Sequence, residues 1–194
     1  MTDHAAAPRV AAVVLAAGLS TRMAGRNKLL MDVKGRTMIA RVVAAVLASR
    51  ARPAIVVTGH EAERVRTALA AESVAFVHNP DYRQGMSASL RAGLGAVPAD
   101  SDGAMICLAD MPDVTAAAID RLIAAFDPAE RRAICVPTHN GQRGNPVLWA
   151  RRFIPEMQAL TGDTGARALI TKHAGFVFEV AMDDAGVLFD VDGG

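Results

Sequence analysis

The chain has 194 residues, the size of one domain that can bury a sizeable core. Hydrophobic residues make up 52% and charged residues 21%, a globular composition that excludes extended disorder. The net charge of +1 excludes a globally basic nucleic-acid binder, and no apolar run approaches the roughly 18–20 residues of a membrane helix. We expect a single domain over residues 1–194, with residues 1–8 disordered. Two cysteines far apart, with no CxxC, predict neither a disulfide scaffold nor a zinc site and suit the cytoplasm.

Short β-rich runs alternate with helical stretches along the chain. Strands are predicted at Val10–Ala16, Ala54–Thr58, Val74–Val77, Ala104–Leu108, Ala133–Val136, Phe176–Val180 and Val187–Asp190. Helices are predicted at Thr37–Leu47, Glu61–Ala70, Met86–Leu94, Thr115–Phe126, Arg151–Leu160 and Thr164–His173. This alternation predicts an α/β fold, a doubly wound layer sandwich around a mostly parallel sheet. In such a sheet ligands bind beyond the carboxyl ends of the strands.

The first predicted strand runs into a loop with phosphate-binding chemistry, residues 15–30 (LAAGLSTRMAGRNKLL). Gly18 lets backbone N–H groups approach an anion closely, and Ser20 adds a hydroxyl donor. Arg22 and Lys28 add positive charge, which suits a triphosphate with about four negative charges and a leaving pyrophosphate. The alternative is an ordinary strand-to-helix loop with solvated basic residues.

A second motif, residues 79–90 (NPDYRQGMSASL), follows the third predicted strand and opens a helix. Gly85, Ser87 and the helix N-terminus offer donors to a base or an anion. The alternative is that Ser87 only caps the helix.

The third motif delivers one carboxylate, Asp110, to the end of an apolar strand within residues 105–112 (MICLADMP). A hard oxygen ligand at this place suits Mg²⁺ bridging phosphates. The alternative is that Asp110 caps the next helix, although Asp113 and Thr115 lie closer to the helical repeat and are better placed to do so.

The long first motif closely resembles the signature of MobA-like nucleotidyltransferases, a Rossmann-like group that transfers NMP from an NTP to a phosphorylated acceptor. The nearest branch is the molybdenum cofactor (molybdopterin) cytidylyltransferases, which serve xanthine-dehydrogenase-type enzymes. The resemblance runs from Val10 to Asp192. It implies a three-layer sandwich of the nucleotide-diphospho-sugar transferase type, CTP as donor, a molybdopterin-type acceptor, Mg²⁺ as cofactor and a molybdenum hydroxylase as partner.

Two later stretches resemble the family's acceptor-side motifs. In residues 143–147 (RGNPV), Gly144 permits close approach, Asn145 is both donor and acceptor, and Pro146 stiffens the entry into a strand. Residues 161–167 (TGDTGAR) resemble the family's GDxGAR motif. The alternatives are a flexible loop for the first stretch and, for the second, a helix cap made by Asp163.

The resemblance distributes the site residues among four roles. Catalysis is assigned to Arg22, Lys28 and Asp110. Nucleotide binding is assigned to Leu15, Ala16, Ala17, Gly18, Ser20, Arg22, Lys28, Gly85, Ser87 and Ser89. Acceptor binding is assigned to Arg143, Gly144, Asn145, Pro146, Asp163, Gly165 and Arg167. Metal binding is assigned to Asp110 together with Asp192 or Asp190, which alternation along the last predicted strand places on one face.

Two further points of the resemblance bear on specificity. Cytidylyl-transferring members have Ala-Gly where guanylyl-transferring members have Gly-Gly, and this chain has Ala17-Gly18. The family's last motif continues as Thr-Pro-Glu, where this sequence has Gly193-Gly194, which leaves open which aspartate binds metal. Two rival hypotheses remain: transfer to a sugar or polyol phosphate, and a chaperone that holds the molybdenum cofactor without chemistry.

Overall fold

The computed structural model describes residues 7–19, 27–162 and 165–190. The strands are β1 (Val10–Ala16), β2 (Asp32–Val33), β3 (Arg36–Thr37), β4 (Ala54–Thr58), β5 (Ala75–His78), β6 (Gly103–Leu108), β7 (Ile134–His139), β8 (Gln142–Arg143), β9 (Val147–Ala150) and β10 (Val177–Ala181). The α-helices are α1 (Met38–Ala48), α2 (Ala62–Ala68), α3 (Met86–Gly95), α4 (Ala116–Ala125), α5 (Ile154–Gln158) and α6 (Arg167–Lys172). Short 3₁₀ turns lie at Lys28–Leu30, Tyr82–Gln84, Arg151–Phe153, Ala174–Phe176 and Ala185–Val187.

One mixed sheet organises the fold, in the order β10-β7-β9-β6-β1-β4-β5, with β8 attached to β7. The pairs β6–β1, β1–β4, β4–β5 and β7–β10 are parallel, whereas β9 runs antiparallel between β6 and β7. The mostly parallel sheet predicted from the sequence is thus confirmed.

Helices cover both faces of this sheet. Gly93 of α3 lies directly over Val13 and Val57, and α3 packs against α5 on this face. Val13 pairs with Ile106, so the next residue, Cys107, points to the opposite face. There Cys107 shares a small apolar cavity with residues of α1 and α4. The result is the predicted three-layer sandwich.

The strand predicted at Val187–Asp190 is wrong. The Asp184 side chain accepts a hydrogen bond from the backbone N–H of Gly186 at 2.8 Å and opens a turn. The carbonyl of Val187 then accepts from the backbone N–H of Asn145 at 2.8 Å, so this segment bonds to a loop and not to a strand of the sheet. The alternation that placed Asp190 and Asp192 on one face therefore does not apply.

Other boundaries differ less. β1 and β4 have the predicted limits, and β9 is the strand whose entry Pro146 was expected to stiffen. The last two helices are shorter than predicted, because the first turn of Arg151–Leu160 is 3₁₀ and α6 begins only at Arg167. The disorder expected at residues 1–8 falls mostly outside the described residues. No helix in the described ranges is long and apolar enough to cross a membrane.

The contact of α3 with the sheet makes a prediction about stability. A Cβ added to Gly93 would lie 2.4 Å from Cγ1 of Val13 and 2.7 Å from Cγ2 of Val57, whereas one added to Gly95 would meet no described atom within 4 Å. Gly93→Ala should therefore lower the free energy of unfolding by about 1–3 kcal/mol through overpacking. Gly95→Ala should leave it unchanged or raise it by up to about 1 kcal/mol. Urea unfolding of both variants measures this, and equal effects would contradict the packing described.

Candidate active site

Lys28 and Asp110 meet at the carboxyl edge of β1 and β6. The two strands are parallel neighbours, with Leu15 paired to Leu108, so the segments after them leave the sheet side by side. Nζ of Lys28 donates to Oδ2 of Asp110 at 2.7 Å, and the two side chains are only 19% and 21% exposed. The structure thus brings together two residues, 82 positions apart, that the sequence analysis assigned to catalysis.

The position of Lys28 follows from the 3₁₀ turn that it begins. Oδ1 of Asn27 accepts from the backbone N–H of Leu29 at 3.1 Å and caps this turn. The Leu29 side chain is buried in the hydrophobic core and anchors the turn there. Lys28 therefore leaves a fixed backbone, and its ammonium group lies at the sheet edge.

Asp110 does not cap the next helix. Thr115 does so, because its side chain accepts from the backbone N–H of Ala118 at 3.2 Å. Asp113 faces Lys34 and Arg41, each with its nitrogen 3.6 Å away. The capping alternative for Asp110 is therefore excluded, and its carboxylate faces the site.

The end of β1 forms a wall with the end of β4. The carbonyl of Ala17 accepts from the backbone N–H of His60 at 3.2 Å, and Ala17 is buried. A Cβ added to Gly59 would lie 2.8 Å from Cβ of Ala17 and 2.6 Å from Cβ of Tyr82, so these three residues pack closely. Gly18, by contrast, is exposed, and a Cβ added to it would meet no described residue within 4 Å. The backbone at Gly18 can therefore be approached by a ligand.

Two serines of α3 form hydrogen bonds within the chain. The Ser87 hydroxyl donates to the carbonyl of Gly162 at 2.6 Å. The Ser89 hydroxyl accepts from Nδ2 of Asn79 at 3.1 Å. Both serines are buried, and neither caps α3, whose N-cap residue is Gly85 with a φ of +101°.

The acceptor-side motif lies next to the end of β6. Because β9 is antiparallel to β6 and Val147 pairs with Ile106, the preceding Asn145 and Pro146 extend toward Asp110. A Cβ on Gly144 would lie 2.0 Å from the carbonyl oxygen of Val187. Gly144 was expected to permit the close approach of a ligand, but the segment that lies against it is the chain's own turn at 185–187.

The remaining residues that were predicted to bind the acceptor, the nucleotide or the metal lie in several different environments. Nε of Arg143 donates to Oε1 of Glu179 at 2.7 Å, toward the far edge of the sheet. Arg167 is the exposed first residue of α6, and Gly165 lies against Sδ of Met86. Asp190 is exposed after the last turn. Outside the described residues lie Ser20, Arg22, Asp163 and Asp192.

The donors at this edge fit a divalent cation that is shared with phosphate. Within the described ranges no three His, Cys, Asp or Glu residues cluster as a metal site. A single carboxylate such as Asp110 still suits Mg²⁺, which is commonly held by one or two carboxylates plus substrate phosphates. Burial raises the pKa of the nearby Cys107 to about 12, so its thiol stays protonated and is a poor metal ligand.

The sequence analysis missed Glu61 beside the phosphate loop. Glu61 has a φ of +49°, a left-handed conformation that is uncommon for a non-glycine residue. Its carboxylate forms an ion pair with Arg64, and the hydrogen bond from Arg64 lowers the pKa of Glu61. Glu61 precedes α2, the helix that packs against the 3₁₀ turn at Lys28–Leu30. No sequence pattern signals this conformation.

Comparison with known proteins agrees with this geometry. The family model described as "MobA-like NTP transferase domain" matches residues 12–176. Molybdenum cofactor cytidylyltransferase of Escherichia coli (strain K12) is 29% identical, covering 93% of this chain and 89% of its own length. Nicotine blue oxidoreductase of Paenarthrobacter nicotinovorans is 25% identical, covering 95% and 93%.

Solved structures give the same picture. Rv0371c from Mycobacterium tuberculosis H37Rv superposes with a TM-score of 0.85 at 30% identity, covering 96% of this chain and 93% of that chain. A second structure of that protein, in complex with manganese, has a TM-score of 0.80 at 28% identity and covers 96% and 94%. Divalent metal is therefore found with a protein of this fold. The match over residues 12–176, on the sheet and loops described above, places the chain in the MobA-like NTP transferase family, and it is a nucleotidyltransferase.

Proposed function

We propose that the protein transfers CMP from CTP to the terminal phosphate of molybdenum-bound molybdopterin. The products are the cytosine dinucleotide form of the cofactor and pyrophosphate. The observation that carries nucleotidyl transfer is the Lys28–Asp110 pair at 2.7 Å, a cation and a carboxylate at one sheet edge. The choice of CTP and of the pterin is supported by Ala17-Gly18 and by the 29% identical molybdenum cofactor cytidylyltransferase.

The chemistry needs no covalent enzyme intermediate. An oxygen of the acceptor's terminal phosphate forms a bond to the α-phosphorus of CTP, and the bond from that phosphorus to the bridging oxygen breaks. Its electron pair leaves with pyrophosphate. Lys28, helped by Arg22 and by the N–H groups around Gly18, stabilises the charge on the departing pyrophosphate. Mg²⁺ held by Asp110, with Asp192 or Asp190, would neutralise the reacting phosphates.

Binding of the two substrates is assigned to different segments around this centre. The ends of β1 and β5, with Gly85, would hold the nucleotide. Asn145, Pro146, Gly165 and Arg167 would hold the pterin phosphate. Arg143 joins them only if its pair with Glu179 opens. The product would then pass in the cytoplasm to a molybdenum hydroxylase of the xanthine-dehydrogenase type.

The direct test mixes the protein with CTP, Mg²⁺ and one acceptor at a time, and measures pyrophosphate. Release with molybdenum-bound molybdopterin, together with a product heavier by one CMP, is the expected result. Release only with sugar or polyol phosphates would make those the acceptors. Tight binding of the pterin cofactor without any pyrophosphate would favour the chaperone hypothesis.

Asp110→Asn should nearly abolish transfer and leave the fold intact, because the change removes the charge but keeps the shape. Asp113→Asn is the matched control, since that exposed carboxylate lies outside the site and should be dispensable for the rate. Steady-state pyrophosphate release measures both. Retention of more than about a tenth of the wild-type rate by Asp110→Asn, a loss under about 1.4 kcal/mol, would refute the metal role.

Lys28→Ala should lower kcat by about a hundredfold or more at saturating CTP, because one charge contact to the transition state is lost. The same effect is expected for Arg22→Ala. Lys34→Ala removes an exposed lysine and should leave kcat near the wild-type value. An unchanged kcat with only a raised KM for CTP would mean that Lys28 binds ground-state phosphate and nothing more.

The unmodified protein should prefer CTP over GTP by roughly 10- to 200-fold in kcat/KM, the discrimination that one methyl group can supply. The methyl group of Ala17 packs against Gly59 and beside Tyr82, so Ala17→Gly should loosen this wall and raise the use of GTP. Both nucleotides are compared with the same pterin acceptor. Equal or better use of GTP by the unmodified protein would overturn the cytidylyl assignment alone.

A further inference from the structure

The first turn of α3 holds the loop that follows α5. The Ser87 hydroxyl and the Ser87 backbone N–H both donate to the carbonyl of Gly162, at 2.6 and 3.3 Å. Gly162 has a φ of +71°, a left-handed conformation that favours glycine. A Cβ added to Gly165 would lie 3.1 Å from Sδ of Met86, so the loop also packs against the residue before Ser87.

A second attachment lies one helical turn further along. Arg91 donates from its guanidinium group to the carbonyls of Gln158 and Leu160, at 3.2 and 3.1 Å. Residues four apart on a helix lie on the same face, so Ser87 and Arg91 hold this segment together. Ser89 lies between them in sequence but points elsewhere, to Asn79 at the end of β5. One helix therefore braces two different loops.

We infer that Ser87 is a positioning residue for the acceptor, because it latches the segment of residues 159–162 to α3. This rests on the proposed function, in which Gly165 and Arg167, just beyond that segment, hold the pterin phosphate. The Ser87 hydroxyl is buried and donates to Gly162, so its contribution to catalysis runs through the loop. Ser89 braces the β5–α3 turn in the same way, on the nucleotide side.

Substitution of each serine should therefore change KM for one substrate and not for the other. Ser87→Ala removes one hydrogen bond to the loop and should raise KM for the molybdopterin acceptor about fivefold, with KM for CTP changed less than about twofold. Ser89→Ala is the matched control and should do the reverse. Arg91→Ala, at an exposed position that puts little strain on folding, should repeat the Ser87→Ala pattern. Ser87→Thr keeps the hydroxyl and should restore KM for the acceptor.

Hydrogen exchange followed by mass spectrometry tests the latch without any substrate. In Ser87→Ala, amides of residues 159–162 should exchange about threefold to tenfold faster than in the wild type, and those of residues 79–86 should be unchanged. In Ser89→Ala, exchange should instead become faster at residues 79–86 and stay unchanged at residues 159–162. Unchanged exchange at 159–162 in both Ser87→Ala and Arg91→Ala would overturn the latch. A larger rise in KM for CTP than for the acceptor in Ser87→Ala would also overturn it. Absence of any transfer to molybdopterin by the wild type would overturn the proposed function, and the exchange contrast would then decide the latch alone.

Discussion

The ion pair between Lys28 and Asp110 is the constraint on which the rest of the site depends. It exists because β1 and β6 are parallel neighbours that end together, so a loop from each strand reaches the same edge. Both side chains are mostly shielded from water, at 19% and 21% exposure, so salt screens their attraction less than it would at an exposed site. In the proposed reaction, the negative phosphates of CTP would compete for the lysine, and the carboxylate would become available to a cation. The pair thus holds both groups in place before substrate binds.

The surrounding structure brings the segments that the proposal assigns to the nucleotide and to the acceptor close to this pair. Glycines at the contacts make this possible: Gly59 admits Ala17 and Tyr82, and Gly144 admits the carbonyl of Val187. The turn at 185–187 also touches the loop that follows Asp110, since a Cβ on Gly186 would lie 2.3 Å from the carbonyl oxygen of Asp113. Close backbone packing, and not a pre-formed cluster of carboxylates, therefore defines the shape of this edge among the described residues.

The sequence was most informative where burial acts on both faces of a strand. β1 and β4 have their predicted limits because continuous apolar runs between turn residues leave little choice. It was misleading at Val187–Asp190, where apolar residues occur but Asp184 and Gly186 form a turn and the backbone bonds to Asn145. Local patterns could not foresee that bond across the sequence.

The same distinction applies to the site. Lys28 and Asp110 could be chosen individually from charge, glycine content and strand position, but their contact depends on which strands become neighbours. Ser87 could not be interpreted in this way. Its hydroxyl is compatible with a helix cap or a ligand donor, but in the structure it donates to the carbonyl of Gly162, 75 residues away. Glu61 gives no signal in the sequence, since a positive φ is uncommon at a residue other than glycine.

The most direct test of this account is a crystal structure with a slowly hydrolysed CTP analogue and Mn²⁺, in which anomalous scattering locates the metal. The account predicts that manganese is coordinated by Asp110 and by phosphate oxygens, and that Lys28 has moved from the carboxylate to the phosphates. A nucleotide bound away from the carboxyl ends of β1 and β6, or a metal held without Asp110, would contradict it.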